Sequence, residues 1–338
     1  MRRALLSVLV GLVASPALAQ DLQIEIDEQK AEQFNIDVAS IETQMEAQAG
    51  EALNYVDPQG FMDSMASAAG IAAKGMGVDY ASNPQKFVVG GGLGASTHSA
   101  GFSFKRGDTA MPENGFATML SLMAGLNLGI ASGKKSFLRR TVVYVNGMAL
   151  DMPSDREFGG SMYNIGAHLQ VKLVKGPNAK VTEWGGLDLT TGFERSSYKL
   201  TLERDLPISA PVDDVDLTWT ATGTYEVGST VDSIPVELST NVRVLVVTAF
   251  LGAAVDIQTA NSSSNAGLAG PISAAYRGQR EDIGSASLTM AFDGAADPVV
   301  PRAFVGAQVN VLMMKVYGHL NAGLNGSVGG HIGARVAM

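Results

Sequence analysis

The run YNIGAHLQVKLVK, residues 163–175, alternates from Tyr163 to Leu173. Ile165, Ala167, Leu169, Val171 and Leu173 share one phase, and Gly166, His168, Gln170 and Lys172 share the other. Side chains of a strand point alternately to its two sides, so this stretch has one greasy surface and one polar surface. Its length also matters. A strand crossing a bilayer at a tilt needs about 9–11 residues, whereas strands of soluble proteins run to about 5–6.

The same pattern recurs along the chain. MLSLMAGLNLGI (119–130) places Leu120, Leu122, Ala124, Leu126, Leu128 and Ile130 in one phase. VDLTWTATGTYEV (215–227) sets Val215, Leu217, Trp219, Ala221, Tyr225 and Val227 against Asp216, four threonines and Glu226. PVELSTNVRVLVV (235–247) sets Val236, Leu238, Val242 and Val244 against Glu237, Ser239, Asn241 and Arg243. KVYGHLNAGLNG (315–326) opposes Val316, Leu320 and Leu324 to Tyr317, His319 and Asn321. The final stretch, VGGHIGARVAM (328–338), keeps Ile332, Val336 and Met338 in one apolar phase. Turn-rich pieces such as ASGKKS (131–136), PNAK (177–180) and APVDD (210–214) separate the runs. TANSSSNAGLAG (259–270) is the longest polar piece and is expected to be an extracellular loop.

A soluble sandwich fills its core with bulky residues from both sheets. Here one phase is bulky and apolar, while the other is polar or carries no side chain. That arrangement suits lipid outside and a polar interior. The expected fold is all-β: a transmembrane antiparallel barrel over residues 86–338, with about 12 strands and 14 possible. Inward positions are then His168, Gln170, Lys172, Glu226, Glu237, Arg243, His319 and Asn321. Aromatic residues mark the two interfaces of such barrels, and Trp184, Trp219 and Tyr225 are the candidates for that belt.

The start of the chain differs. MRRALLSVLVGLVASPALAQ (1–20) has two arginines, a short apolar core and an Ala17-Leu18-Ala19 exit. This is the layout of a cleavable export signal, taken as residues 1–19. Residues 20–85 follow as an acidic helical segment, either a plug or a periplasmic extension. Phe34, Val38, Ile41 and Met45 recur at helical spacing, and so do Phe61, Met65, Ala69 and Ala72 after Pro58.

Composition agrees with export to an outer membrane. There are 39 glycines, no cysteines and only 17% charged residues, against about 25% in ordinary soluble domains. Two of the 24 basic residues leave with the leader, so 22 face 33 acidic ones. Such an acidic chain is a poor partner for nucleic acid. From residue 86 onward the chain resembles the Gram-negative outer-membrane β-barrels. The resemblance implies an outer-membrane location, contact with its lipid, and recognition of the last strand by the barrel assembly machinery. That strand ends in Met338, where the recognition signal usually has phenylalanine or tryptophan. The helical piece before the first strand is similar in layout to the N-terminal hatch of hydrophobic-substrate transporters.

Chemistry-bearing motifs are absent. His98, His168, His319 and His331 form no HExxH pattern, and no GxSxG occurs. GGGLGAS (90–96) lacks the strand-turn-helix setting of a dinucleotide loop. No cofactor, metal or enzymatic site is expected. The functional expectation is a channel for passive or facilitated diffusion of small solutes. Two alternatives stand beside it: a structural barrel whose acidic segment, residues 21–60, docks a periplasmic partner, and a transporter of hydrophobic compounds with an N-terminal hatch.

Overall fold

A computed structural model describes residues 8–10, 19–33, 37–40, 43, 58–99, 114–131, 137–153, 157–177, 181–212, 215–276 and 279–338. The early elements are β1 (Val8–Val10), β2 (Ala19–Ile26), α1 (Glu28–Gln33) and α2 (Pro58–Ala72). Six strands follow: β3 (Phe87–His98), β4 (Gly115–Asn127), β5 (Thr141–Met152), β6 (Phe158–Val174), β7 (Thr182–Val212) and β8 (Val215–Val244). The last five are β9 (Val247–Tyr276), β10 (Gln279–Ala295), β11 (Val299–Val311), β12 (Met314–Gly323) and β13 (Ser327–Ala337).

Among the described residues all pairings are antiparallel and belong to one sheet of 13 strands, of which β1 and β2 lie outside the range 86–338 expected to hold about 12. Strands β3 to β9 pair in sequence order, β9 pairs β11, and β11, β12 and β13 lead back to β3. This circuit has no free edge, so every backbone donor and acceptor of the wall can be met within the wall. Strands β10 and β11 run in line along β9: β11 pairs its first half and β10 its second, with a break at 296–298. Strand β2 lies against β10, and β1 against β2, outside the circuit. The leader expected over 1–19 is described only at Val8–Val10 and Ala19, and 21–26 is strand rather than helix.

The two ends of the circuit differ. At one end two-residue turns, Leu245–Val246 and Leu312–Met313, join the strands, and Met338 and Lys86 meet through a backbone hydrogen bond of 2.7 Å. At the other end β7, β8 and β9 continue to about 30 residues each. Short turns face the periplasm in such barrels and the longer excursions face outward. The polar piece 259–270, expected as a loop, is therefore part of an outer extension, but as strand. Its small polar side chains alternate between a sheet interior and water, and its backbone is paired on both sides by β8 and β10.

The apolar band ends at one level on four strands. Phe193, Ile234, Ile257 and Val299 are the last large apolar residues exposed on the outer face. Ile257 pairs both Ile234 and Val299 in register. One step beyond, Arg195 and Asp232 form an ion pair of 3.7 Å on the outside. On β8 the band spans Ile234 to Val244, matching the length a tilted crossing strand needs.

Beyond that level the polarity inverts while the strand does not slip. Odd-numbered residues of β8 stay inward from Val215 to Asn241. Within the band they are Pro235, Glu237, Ser239 and Asn241, and Ile234, Val236 and Leu238 face lipid. In the outer extension the inward residues become Val215, Leu217, Trp219 and Ala221, and Asp216, Thr220 and Thr224 face out. The outer lobe thus has a water-soluble core, closed by Leu22 and Ile24 of β2, Leu268 and Ile272 of β9, and Ile283 and Leu288 of β10. This corrects the expectation that the apolar phase of 215–227 meets lipid. Trp219 is fully buried in that core and takes no part in an interface belt. The architecture is that of an outer-membrane β-barrel with a folded extracellular lobe.

An arginine at Leu238, in the middle of the band, is expected to cost about 2–4 kcal/mol. The same change at Thr222, on the outer face of the same strand, is expected to stay within about 0.5 kcal/mol. Urea titration of vesicle-inserted L238R and T222R, read by heat-modifiable gel migration, checks this. Equal losses would contradict the placed boundary.

Candidate functional site

The lumen is occupied by the chain itself. Helix α2 starts with Pro58, whose fixed φ suits the first helical position. Its residues Phe61, Met65, Ala69 and Ala72 are buried against Ala117, Met119, Tyr198, Val227 and Met290. Around this apolar contact the wall donates to helix carbonyls. Ser262 Oγ donates to Met62 O at 2.5 Å, Ser96 Oγ to Ala68 O at 2.7 Å, and Ser327 Oγ to Ser67 O at 3.3 Å. Serine and glycine line this part of the wall because the helix backbone comes so close. A Cβ on Gly115 would fall on the Ser64 carbonyl. The helix gives way to a turn in which Gly75 takes φ +82°, a conformation that side chains other than glycine's rarely accept. A Cβ there would also press on the His319 ring.

The segment then descends toward the periplasmic end, where Val78, Tyr80 and Ala81 pack in an apolar cluster with Val88, Met123, Phe250 and Phe304, and ionic contacts join the apolar ones. Lys74 Nζ donates to Glu194 Oε2 at 3.0 Å and also to Ser233 Oγ. His168 Nε2 lies 3.3 Å from the other Glu194 oxygen. Asp79 Oδ1 pairs with Arg335 Nη1 at 3.0 Å, and that guanidinium stacks 3.8 Å from the centre of the Tyr317 ring. Tyr80 Oη donates to Glu237 Oε2 at 2.6 Å, while Asn241 Nδ2 donates to Tyr80 O at 2.8 Å.

Arg302 ties three strands together. It donates to Asp256 Oδ2 at 2.8 Å, Glu237 Oε1 at 2.5 Å and Asn321 Oδ1 at 2.7 Å. Asn321 Nδ2 in turn donates to Lys74 O at 3.1 Å, joining the arginine to the inner segment. His319 Nδ1 and His331 Nε2 share a hydrogen bond of 2.8 Å, and the Tyr80, Phe250 and Phe304 rings surround His319. Lys74, Arg302 and Arg335 are all buried, and each is matched by a carboxylate. A buried cation without such a partner would be prohibitively costly.

The inward positions read from the sequence divide accordingly. His168, Gln170, Glu237, His319 and Asn321 are buried inside the ring. Gln170 Oε1 accepts from Tyr144 Oη at 2.9 Å. Lys172 sits lower and pairs with Asp188 at 3.0 Å and with Asn83 Oδ1 at 2.9 Å. Arg243 has the inward phase but stands at the very end of the band, exposed at the periplasmic rim and paired with Glu183. Glu226 is on the outer surface of the extracellular lobe and pairs with Lys199 at 2.6 Å. Its even phase is the outward one on β8, and water lies there instead of lipid. Tyr225 faces inward in the same lobe, half-buried, where burial pushes its phenol above the ordinary pKa. Trp184 alone of the three aromatic candidates is exposed on the barrel's outside near the periplasmic end, with Nε1 donating to Thr240 Oγ1 at 2.8 Å.

Several members of the network escaped the sequence reading: Lys74, Asp79, Asp188, Glu194, Asp256, Arg302 and Arg335. A signal existed for the wall residues. Asp256 stands between Val255 and Ile257, and Arg335 stands beside Val336. A lone charge in phase opposition to lipid-facing neighbours must point inward. For Lys74 and Asp79 no such alternation exists. The expected periplasmic docking segment 21–60 is also displaced. Strand β2 is built into the extracellular lobe and Val38 packs against its core, while Phe34, Ile41 and Met45 lie outside the described residues.

A model of the Lsa36-like family matches residues 20–338, and the chain belongs to that family. No curated protein sequence matches it. Among solved structures, the outer membrane protease OmpT of Escherichia coli aligns with 77% of this chain and 99% of its own, at 11% identity and a TM-score of 0.37. The toluene transporter TbuX of Ralstonia pickettii covers 75% of this chain and 90% of its own, at 7% identity and 0.25. The outer membrane protein Omp33 of Acinetobacter baumannii covers 75% and 99%, at 8% identity and 0.25.

Removing one partner of the Arg302 cluster leaves charge buried and unmatched. R302M is expected to lose about 3–5 kcal/mol of stability, whereas the triple change R302M, E237Q, D256N is expected to recover most of it. Urea midpoints of the two variants in vesicles measure the difference. A triple variant as weak as R302M would show that the ions matter for more than mutual neutralisation.

Proposed function

We propose that this Lsa36-like barrel is a gated outer-membrane channel, held shut by its own segment 58–81 and open to small polar or charged solutes when that segment shifts. The observation that supports this reading is the nature of the lower contacts. Between Lys74 and Asn83 ion pairs and hydrogen bonds to the wall stand beside the apolar packing of Val78, Tyr80 and Ala81. Water and solute ions can replace the polar contacts one at a time, which is not true of the apolar ones. The wall that would be bared carries charges of both signs, so it suits solutes of mixed charge rather than one ionic sign. The rival reading is a permanently closed barrel with a structural or docking role, which the apolar packing of α2 in the upper lumen favours.

An engineered disulfide separates the two, and the absence of native cysteine makes the experiment clean. Met62 Cβ lies 2.6 Å from the place a Cβ on Gly294 would take. A disulfide needs about 3.5–4.5 Å between Cβ atoms, so helix and wall must part by about an ångström. In planar bilayers the native chain is expected to show intermittent conductance, and D79N more of it. The oxidised pair M62C, G294C is expected to be silent until reduced. If native chain, D79N and the reduced pair are all silent while remaining heat-modifiable, the gate is rejected and the closed barrel stands.

A further inference from the structure

The inward face of the extracellular lobe is apolar at two levels. Near its tip, Trp219, Leu217 and Ile272 form the closed core. Near the membrane, Val227, Tyr198 and Met290 cover the start of α2. Between these levels four adjacent strands turn apolar residues toward one cavity, buried on β9 and β10 and open on β7. Leu202 and Leu206 come from β7, Tyr225 from β8, Leu268 from β9 and Leu288 from β10, and they line a cavity of about 280 Å³. Its floor is kept low by Gly223, where a Cβ would stand 2.8 Å from Leu206 Cδ1 and 3.2 Å from Leu268 Cδ2.

Leu202 and Leu206 remain 44% and 40% exposed, although both have the inward phase that buries their neighbours. Leaving such side chains wet forgoes the stabilisation that burial supplies everywhere else in the lobe. The lining also holds Thr224, Ala266 and one charged side chain, Arg204, between the two leucines on the same inward phase. It is exposed, and among the described residues it has no ion-pair or hydrogen-bond partner. Lys74, Lys172, Arg302 and Arg335, the inward cations of the lumen network, are each paired with a carboxylate, so Arg204 stands apart.

We propose that this cavity binds a free anionic amphiphile, its alkyl part against the leucines and Tyr225 and its acid group on the Arg204 guanidinium. A planar guanidinium presents a fork of donors that fits a carboxylate or phosphate bidentately. The cavity is near the small end of ligand sites, which run from about 300 Å³ upward, so the alkyl part is short. A lipid of the bilayer is the wrong source. Tyr225 lies nine residues along β8 from Ile234, at the edge of the apolar band. At about 3.3 Å per residue that is roughly 30 Å of strand, and the cavity faces the inside of the lobe.

Sodium octanoate is the probe, titrated calorimetrically into the full chain held in nanodiscs of zwitterionic lipid, with empty nanodiscs as the blank. Octanol and octylammonium chloride are the neutral and cationic counterparts. Saturable octanoate binding above the blank is expected, with octylammonium absent. R204Q is expected to weaken octanoate about tenfold while leaving octanol unchanged, and A266F, which fills the cavity, is expected to abolish both. The exposed position of Arg204 keeps R204Q folded. Octanoate heats equal to the blank, octylammonium binding as tightly as octanoate, or R204Q matching the native chain would each overturn the proposal. None of these outcomes depends on whether the lumen conducts.

Discussion

Everything in this barrel depends on a strand that cannot slip. Pairing on both sides fixes β8 between β7 and β9 over nearly its whole length, with one irregularity, between Trp184 and Gly186 of β7. A shift of one residue would exchange inside for outside along about 30 positions. The side to which each residue points is therefore decided once for the whole strand. What varies along it is the medium, lipid below the level of Ile234 and water above. The composition of each phase follows the medium, and this is why one unbroken strand can serve a membrane wall and a soluble lobe.

The interior answers to a different rule. A lumen sealed by lipid-facing strands has to dispose of whatever the inward phase carries. Here that includes Glu194, Glu237, Asp256, Arg302 and Arg335, which are too many charges for a dry core. Lys74 and Asp79 complete the balance from the inner segment. The segment is thus part of the wall's own electrostatics. The barrel without it would keep Glu194 and Arg335 without their ionic partners, and water would have to enter to solvate them.

Much of this was legible in the alternation. The antiparallel sheet, the band strands and the inward phase of His168, Gln170, Glu237, His319 and Asn321 follow from period two alone. The same reasoning misplaced Glu226 and Trp219 because alternation tells which residues share a side and not which solvent that side meets. VDLTWTATGTYEV and PVELSTNVRVLVV look like two crossing strands, and only the absence of a turn between Val227 and Pro235 hints that they are one. Residues 259–270 were hidden for a related reason. Serine, asparagine and glycine have low strand preference, and pairing on both sides overrides it. The partners of Lys74 and Asp79 are set by tertiary structure, since their neighbours in sequence carry no phase.

The route of the inner segment has a topological consequence. Its helix begins beside Gly294 and Ser262 in the extracellular lobe, and its last residues meet Met338 at the periplasmic rim. There the chain turns directly into β3, the strand that joins β13 to shut the wall. The barrel is therefore a ring closed around its own thread. The β13–β3 seam is also the pairing that imprisons the segment. In the proposed gate, a segment drawn toward the outer mouth stays tethered at its lower end, where Lys86 is bonded to Met338.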